Sequence, residues 1–149
     1  MKLDAYLPYR LSVASNAVSG LIARAYEDRF GLTVPQWRLI CVLAEDKALT
    51  QVAVVARTGM DKVTVSRAAQ GLSRRRLVAR SEHHADARSH MLTLTVEGAR
   101  LYAEIAPLAL AYEAALIAGL APSEVALLKR LLLRLQTAAG ALAGDATPR

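Results

Sequence analysis

Apolar residues recur at helical spacing toward both ends of the chain. They return every three to four positions in residues 4–30, where Gly31 supplies a C-terminal stop. The same period runs through residues 96–119 and, after a restart at Pro122, to about residue 142. The pattern therefore predicts long helices on either side of a middle region that contains shorter elements.

The middle region, residues 33–95, begins with three predicted helices. Thr33 and Gln36 have the spacing of a capping box for the first helix. Thr50 and Asp61 are N-cap residues for the second and third. The third helix has aliphatic residues at i, i+4 and i+7 that predict an inward face, namely Val65, Ala69 and Leu72.

Two apolar runs follow the third helix. Residues 77–81 and 90–95 read as strands, and the charged segment 82–88 between them reads as a turn. Two short helices joined by a turn and followed by a β-hairpin are the pattern of a winged helix-turn-helix. The predicted fold class is therefore mainly α with a small β-wing, and residues 144–149 are expected to be a frayed tail.

Charge is concentrated in this middle region. The chain has 149 residues and a formal net charge of +6. Eight basic and three acidic residues lie from Arg57 to Arg88, so five of the six net charges are local. A local excess of arginine favours a polyanionic partner such as nucleic acid. The single cysteine excludes an intrachain disulfide, and the absence of a signal peptide or a long apolar run predicts a cytoplasmic protein.

The outward face of the third helix, within residues 61–76, carries side chains suited to the edges of bases. An α-helix fits the major groove, where Arg67 can bond guanine O6 and N7 and Gln70 can bond adenine N6 and N7. The other candidates for base contacts lie nearer the helix start: Lys62, Val63, Thr64 and Ser66. The alternative for all of these residues is an ordinary solvated helix face.

Arginines after this face are placed for the DNA backbone. Arg74, Arg75 and Arg80 are predicted phosphate ligands, which position a protein without reading sequence. In the predicted wing, residues 80–90, Arg88 suits a narrow minor groove.

The order of the predicted elements and their local sequences resemble the MarR family of bacterial transcriptional regulators over nearly the whole chain. The matching segments are "LTVPQWRLICVL", "LTQVAVVARTGMDKVTVSRAAQGL" and "RLVARSEHHADARSHMLTLTVEG". Asp86-Ala87-Arg88 followed by "LTLTVEG" matches the family's wing pattern D-x-R…L-x-L-T-x-x-G. The resemblance implies one MarR-like domain, 1–149, with a DNA-binding lobe at 33–95 and a helical dimerisation region formed by 4–30 and 96–142.

The resemblance also implies a homodimer on a pseudo-palindromic double-stranded DNA operator. Its two recognition helices would enter successive major grooves and its wings the flanking minor grooves, with Asp86 holding Arg88 in place. The chain departs from the family's pattern at Arg76, where members usually have Gly, and at Ala53, where an acidic residue is usual. A left-handed backbone at a non-glycine residue costs on the order of 1 kcal/mol.

Family members commonly respond to phenolic or carboxylate ligands, which makes Arg10 a candidate effector anchor. It continues the apolar line of the first helix, where an unpaired charge is costly. Tyr9, Trp37 and Arg38 are its candidate neighbours in a site for a small aromatic or carboxylate effector. The plain alternative is that an acidic residue or a partner chain neutralises Arg10, or that its long stem reaches solvent.

Other chemistry is weakly supported by the residues. His83, His84 and His90 lack the thiols or carboxylates that would complete a zinc site, so no metal is expected. Cys41 lies in an apolar helix and is predicted to be a buried, inert thiol. Without a nucleophile and base, a phosphate-binding glycine loop or an acid pair, neither an enzyme nor a cofactor is expected.

The sequence thus predicts a DNA-binding transcriptional regulator, most simply a ligand-responsive repressor. The alternative is a winged-helix module that binds proteins and no specific DNA. The arginine-rich outward face and the Asp86–Arg88 pattern favour the regulator.

Overall fold

The computed structural model of the chain describes residues 1–83 and 86–145, and their side chains outside 82–89 and 145. A short 3-10 helix, Leu3–Ala5, comes first. The helices that follow are α1 (Leu7–Ala23), α2 (Glu27–Phe30), α3 (Val34–Asp46), α4 (Gln51–Thr58), α5 (Lys62–Arg74), α6 (Val96–Ile117) and α7 (Pro122–Asp145). The strands are β1 (Ala48–Thr50), β2 (Val78–His83) and β3 (Asp86–Leu94).

The three strands form one antiparallel sheet in the order β1-β3-β2. Leu92, on the central strand β3, pairs with Leu49 on one side and with Arg80 on the other, and its side chain is fully buried. A mainly helical chain with a small antiparallel sheet confirms the predicted fold class.

The chain divides into two compact units, one from Met1 to Tyr112 and one from Glu113 onward. The core of the first unit lies between α3, α5 and the sheet, with Leu39, Ile40, Val65 and Leu72 fully buried. Trp37 of α3 stacks between two tyrosines, with ring centroids 5.4 Å from Tyr26 and 5.8 Å from Tyr102. Offset aromatic stacking of this kind stabilises the packing of three elements at once.

The joint between β3 and α6 depends on two small residues. Thr95 accepts a hydrogen bond from the amide of Gly98 and donates one of 2.7 Å to the carbonyl of Arg76. A Cβ at Gly98 would lie 2.0 Å from the carbonyl oxygen of Leu77, so only glycine allows this approach. The "T-x-x-G" part of the sequence pattern is therefore a structural joint.

The helix predicted over residues 4–30 is interrupted. α1 ends at Ala23, and α2 begins only at Glu27, with Gly31 at φ 63° ending α2 as expected. Most of the apolar face of α1 is uncovered in the single chain, because Ala23 is the buried residue of α1 whereas Leu7 and Leu11 are exposed. Periodicity shows that a helix has an apolar face but not what covers that face.

The small sheet differs from the prediction as well. β1 was not predicted, because its segment has little strand pattern and forms a strand only by pairing with β3, which satisfies its backbone groups. β2 and β3 extend into the predicted turn 82–88. At the other end of the chain α7 continues to Asp145, so the first residues of the expected tail are helical, and 146–149 lie outside the described residues.

In the second unit, α7 carries apolar side chains that are exposed to solvent in the single chain. Seven leucines of this helix are between 40% and 72% exposed. Among the described residues no single helix is long and apolar enough to cross a membrane, although α6 and α7 pass such a test as a bent pair.

Candidate nucleic-acid interface

The helix predicted to read DNA, α5, starts as its sequence dictates. Asp61 accepts a 2.8 Å hydrogen bond from the amide of Thr64, and the Thr64 hydroxyl donates to the other carboxylate oxygen at 2.8 Å. These bonds favour the ionised carboxylate and hold the pKa of Asp61 below its ordinary value. Thr64 is therefore engaged in the helix cap as well as being a candidate base contact.

One face of α5 is buried and the other is open. Val65, Ala69 and Leu72 are fully buried, which confirms the predicted inward stripe, and Ala68 joins them at 4% exposure. Lys62, Val63, Arg67 and Gln70 are exposed, while Thr64 and Ser66 are half-buried. The exposed group includes long hydrogen-bonding side chains on a helix that is held rigidly by its opposite face.

The turn before α5 brings α4 against it. Gly59 has φ 70°, a conformation that glycine adopts without strain, and Met60 after it is buried. The Thr58 hydroxyl donates to the carbonyl of Val54 at 2.7 Å and accepts from the amide of Met60. The two helices of the motif are thus joined by a short turn that the hydrogen bonds of Thr58 hold in place.

The end of α5 is where the structure adds most to the sequence. Arg74 and Arg75 are both exposed, but Arg75 donates two hydrogen bonds to backbone carbonyls, at 2.7 Å to Phe30 and 3.1 Å to Gly31. Arg76 has φ 57°, so the left-handed backbone expected at this position is present in a residue other than glycine. The three consecutive arginines therefore have different surroundings.

Arg57 is not a free cation of this surface. Its guanidinium pairs with Glu45 and, at 2.9 Å, with Asp46, and these carboxylates raise its pKa. Counting it among the local positive charges therefore overstated the charge that is free to meet a polyanion. The sequence feature that could have indicated this pairing is the acidic pair at the end of α3, Glu45 and Asp46, which lie twelve and eleven residues before Arg57.

The wing is described only in part. Arg80 on β2 is exposed, and the backbone of Asp86 pairs with that of His83 in the hairpin. The side chains of Asp86 and Arg88 lie outside the described residues, so the role of this pair stays a prediction. His90 is exposed. His84 and the side chain of His83, like the side chains of Asp86 and Arg88, lie outside the residues that the structure describes. No group of three metal-ligating side chains occurs among the described residues.

The four candidate effector residues differ in their access to solvent. Arg10 is exposed and Tyr9 is half-buried, both on α1. Arg38 is exposed on α3, and its guanidinium lies 3.5 Å from the Ser19 hydroxyl. Trp37 is 8% exposed within its aromatic stack. It could therefore contact a ligand only with the small exposed part of its ring.

Cys41, the single cysteine, lies on α3 and is half-buried rather than buried as predicted. Burial, with a smaller effect of the Glu45 charge, raises the pKa of its thiol from 9.0 to about 12. A thiol with this pKa is unreactive at neutral pH, which agrees with the predicted inert cysteine.

Known proteins resemble both the sequence and the fold. The model of the MarR family matches residues 30–89. BpsR of Bordetella bronchiseptica, whose DNA binding is regulated by 6-hydroxynicotinic acid, is 28% identical with a TM-score of 0.83, over 91% of this chain and 96% of that one. PcaV of Streptomyces coelicolor, solved with its natural ligand, is 25% identical with a TM-score of 0.83, over 93% and 97%.

A probable transcriptional regulator of Pseudomonas aeruginosa is 28% identical with a TM-score of 0.78, over 90% of this chain and 99% of that one. Among curated proteins there is no significant sequence match. The family match spans the buried and exposed faces of α5, and the structural matches extend over nearly the whole chain. In sequence the chain is similar to the MarR family over residues 30–89, and its fold matches those of solved transcriptional regulators over nearly the whole chain.

Proposed function

We propose that the protein binds a pseudo-palindromic DNA operator as a homodimer and that a small aromatic or carboxylate effector modulates this binding. The observation that carries the proposal is the two-faced character of α5. Its inner side is anchored by Val65, Ala69 and Leu72, while Arg67 and Gln70 project from its outer side. A rigid helix with exposed side chains of these types suits the donor and acceptor pattern of the major groove.

Within this proposal the residues have distinct roles. Arg67 and Gln70 discriminate guanine and adenine, and each such bidentate contact is worth about 1–3 kcal/mol. The remaining base contacts come from the first turns of α5, through Lys62, Val63, Thr64 and Ser66. Arg74 and Arg80 bind phosphates, and Arg88, held by Asp86, enters the minor groove.

The test is fluorescence anisotropy with the promoter fragment beside the protein's own gene and with random DNA. Arg67→Ala should reduce specific binding about 10- to 100-fold and affect random DNA much less. Arg24→Ala is the matched control, because it removes an exposed arginine from outside α5. Equal affinities of wild type and Arg67→Ala for the promoter would refute base reading by this helix, and weak, non-selective binding throughout would favour the interaction module.

The homodimer is supported by the apolar surface that the chain leaves exposed. Leu7, Leu11 and Val18 of α1 are each at least 36% exposed, as are Leu108 and Leu116 of α6. Seven leucines of α7 are exposed as well, and large apolar side chains exposed on one helix are typical of an interaction surface. A second copy of the chain would cover these helices, as the sequence resemblance implies.

The effector proposal centres on Arg10, with Tyr9, Trp37 and Arg38 near the ligand. BpsR responds to 6-hydroxynicotinic acid and PcaV was solved with its natural ligand, so related folds bind small effectors. If the ligand brings them together, an exposed guanidinium would bind the carboxylate of an aromatic acid and an aromatic side chain would bind its ring. Trp37, the single tryptophan, provides an intrinsic fluorescence signal for such a titration.

Isothermal titration calorimetry with a panel of aromatic acids tests this site. At least one acid should bind wild type and lose about tenfold or more in affinity with Arg10→Ala. Arg24→Ala again serves as the control of equal charge. If the two variants bound the acid equally well, Arg10 would not be the anchor.

A further inference from the structure

Arg75, the residue directly after the recognition helix α5, has surroundings unlike those of Arg74 and Arg76. The guanidinium of Arg75 reaches back to the end of α2, where the carbonyl of Phe30 accepts at 2.7 Å and that of Gly31 at 3.1 Å. These partners lie 45 and 44 residues earlier in the chain. The contact therefore joins the end of α5 to a distant element.

The chemistry of a helix end explains why these two carbonyls attract a guanidinium. The last carbonyls of a helix have no partners within it, and they form the negative end of the helix dipole. α2 has only four residues and ends at the left-handed Gly31. Arg75 supplies two donors in a planar fork, which one ammonium group cannot reproduce with the same geometry.

α2 is itself held to the helical region of the first unit. Arg29 forms an ion pair of 3.1 Å with Glu104 of α6, and its guanidinium lies 5.1 Å from the centre of the Phe30 ring. Tyr26, just before α2, stacks on Trp37. α2 therefore contacts α6 on one side and receives the end of α5 on the other.

We propose that Arg75 is a positioning residue that clamps the exit end of the recognition helix α5 to the carbonyl end of α2, and that it is not a phosphate ligand. This proposal rests on the proposed DNA-binding function for its effect on affinity. The sequence predicted a phosphate contact for Arg75, as for Arg74 and Arg80, because these arginines follow the outward face of the helix. In the structure, movement of Arg75 toward DNA would break both carbonyl bonds, whereas Arg74 has no contact described that it would have to break.

The decisive experiment compares Arg75→Ala and Arg75→Lys with the neighbouring control Arg74→Ala. Urea unfolding without DNA reports the clamp itself. DNA affinity is then measured at several salt concentrations, at a temperature where every variant is fully folded. Under that condition a residue that only stabilises the fold would leave the affinity unchanged, so an affinity loss reports positioning.

We expect Arg75→Ala to unfold at a lower urea concentration and to bind the promoter about tenfold more weakly at every salt concentration. The slope of log affinity against log salt should stay that of wild type. Arg75→Lys keeps the charge but not the two donors of the guanidinium, so it should also lower the urea midpoint and weaken promoter binding. Arg74→Ala should keep the unfolding midpoint and reduce the slope by about 0.9, as the loss of one phosphate contact does.

The opposite pattern would overturn the proposal. Full rescue by Arg75→Lys together with a reduced slope for Arg75→Ala would make Arg75 a phosphate ligand. If wild type bound no DNA selectively, the proposed function would fail. Equal unfolding midpoints for Arg75→Ala and Arg74→Ala would refute the clamp independently of that outcome.

Discussion

Arg76 is the residue at which sequence and backbone are most clearly in conflict. Its φ of 57° lies in the left-handed region, where a side chain with a Cβ is disfavoured. Its carbonyl is nevertheless fixed by the Thr95 hydroxyl, and the next residue, Leu77, is buried. The surrounding structure therefore holds Arg76 in a conformation that glycine would adopt with less strain.

Replacing Arg76 by glycine should stabilise the protein. Relief of the left-handed strain is worth on the order of 1 kcal/mol, partly offset by the greater freedom of glycine in the unfolded chain. Arg76→Ala is the control, because it removes the guanidinium but keeps the Cβ. Urea unfolding should rank glycine above alanine, and the reverse order would show that this turn is not strained.

Cys41 allows a prediction about pH and reactivity. With its pKa raised to about 12, the thiol stays protonated in the folded protein while an unfolded chain ionises near 9. The folded state then binds the proton more tightly, so stability is unaffected below about pH 9 and falls as pH rises toward 12. Cys41→Ala should flatten this alkaline loss.

Alkylation by iodoacetamide at pH 8 gives a second measurement of Cys41. The native thiolate fraction should be about a thousandfold below that of a free cysteine, because three pKa units separate 9.0 from about 12. Labelling should therefore be slow in buffer and fast in urea. Equal rates in the two solvents would contradict the raised pKa of the half-buried thiol.

At the scale of elements, the joint between β3 and α6 depends on Gly98. A Cβ there would lie 2.0 Å from the Leu77 carbonyl oxygen and 3.3 Å from a methyl of Leu94. Backbone cannot yield as a flexible side chain does, so Gly98→Ala should destabilise the protein by about 3 kcal/mol or more. Thermal unfolding measures this change.

Gly20, inside α1, is the matched control for Gly98. A Cβ at Gly20 would meet nothing within 4 Å, and alanine is the better helix former by about 0.5–1 kcal/mol. Gly20→Ala should therefore be neutral or stabilising. Similar losses in both variants would mean that the tight contact at Gly98 does not determine stability.

At the scale of the whole molecule, the exposed leucines of α7 predict self-association. Leu128 is 48% exposed, and its neighbour Lys129 is also exposed. Leu128→Glu should shift the proposed dimer toward monomer in sedimentation equilibrium, because it places a charge in an apolar contact. Lys129→Glu introduces the same side chain beside it and should leave the dimer intact; dissociation of both or of neither would argue against a specific apolar interface.

Prediction from sequence was most successful where neighbouring residues decide the structure. Thr33, Thr50 and Asp61 cap the helices they were expected to cap, because capping is a contact across three residues. The buried stripe of α5 followed from helical periodicity in the same way. The break after Ala23 and the strand at Ala48 were missed because distant partners stabilise them.

In the candidate interface, too, local features could be predicted from the sequence and long-range contacts could not. Which residues of α5 face outward could be read from their spacing, and the structure confirms the exposure of Lys62, Val63, Arg67 and Gln70. Charge alone could not show which arginines are free. Arg57 and Arg75 find their partners across 11 to 45 residues of chain, and only folding brings those groups together.

The sequence by itself determined the starts of α3, α4 and α5, the two faces of α5, the hairpin after it and the resemblance to the MarR family, because each is encoded in local spacing and residue type. Tertiary structure alone decided the roles of the individual arginines, the tight approach at Gly98 and which apolar faces remain open. These properties depend on distances between groups far apart in the chain, and local spacing carries no information about such distances.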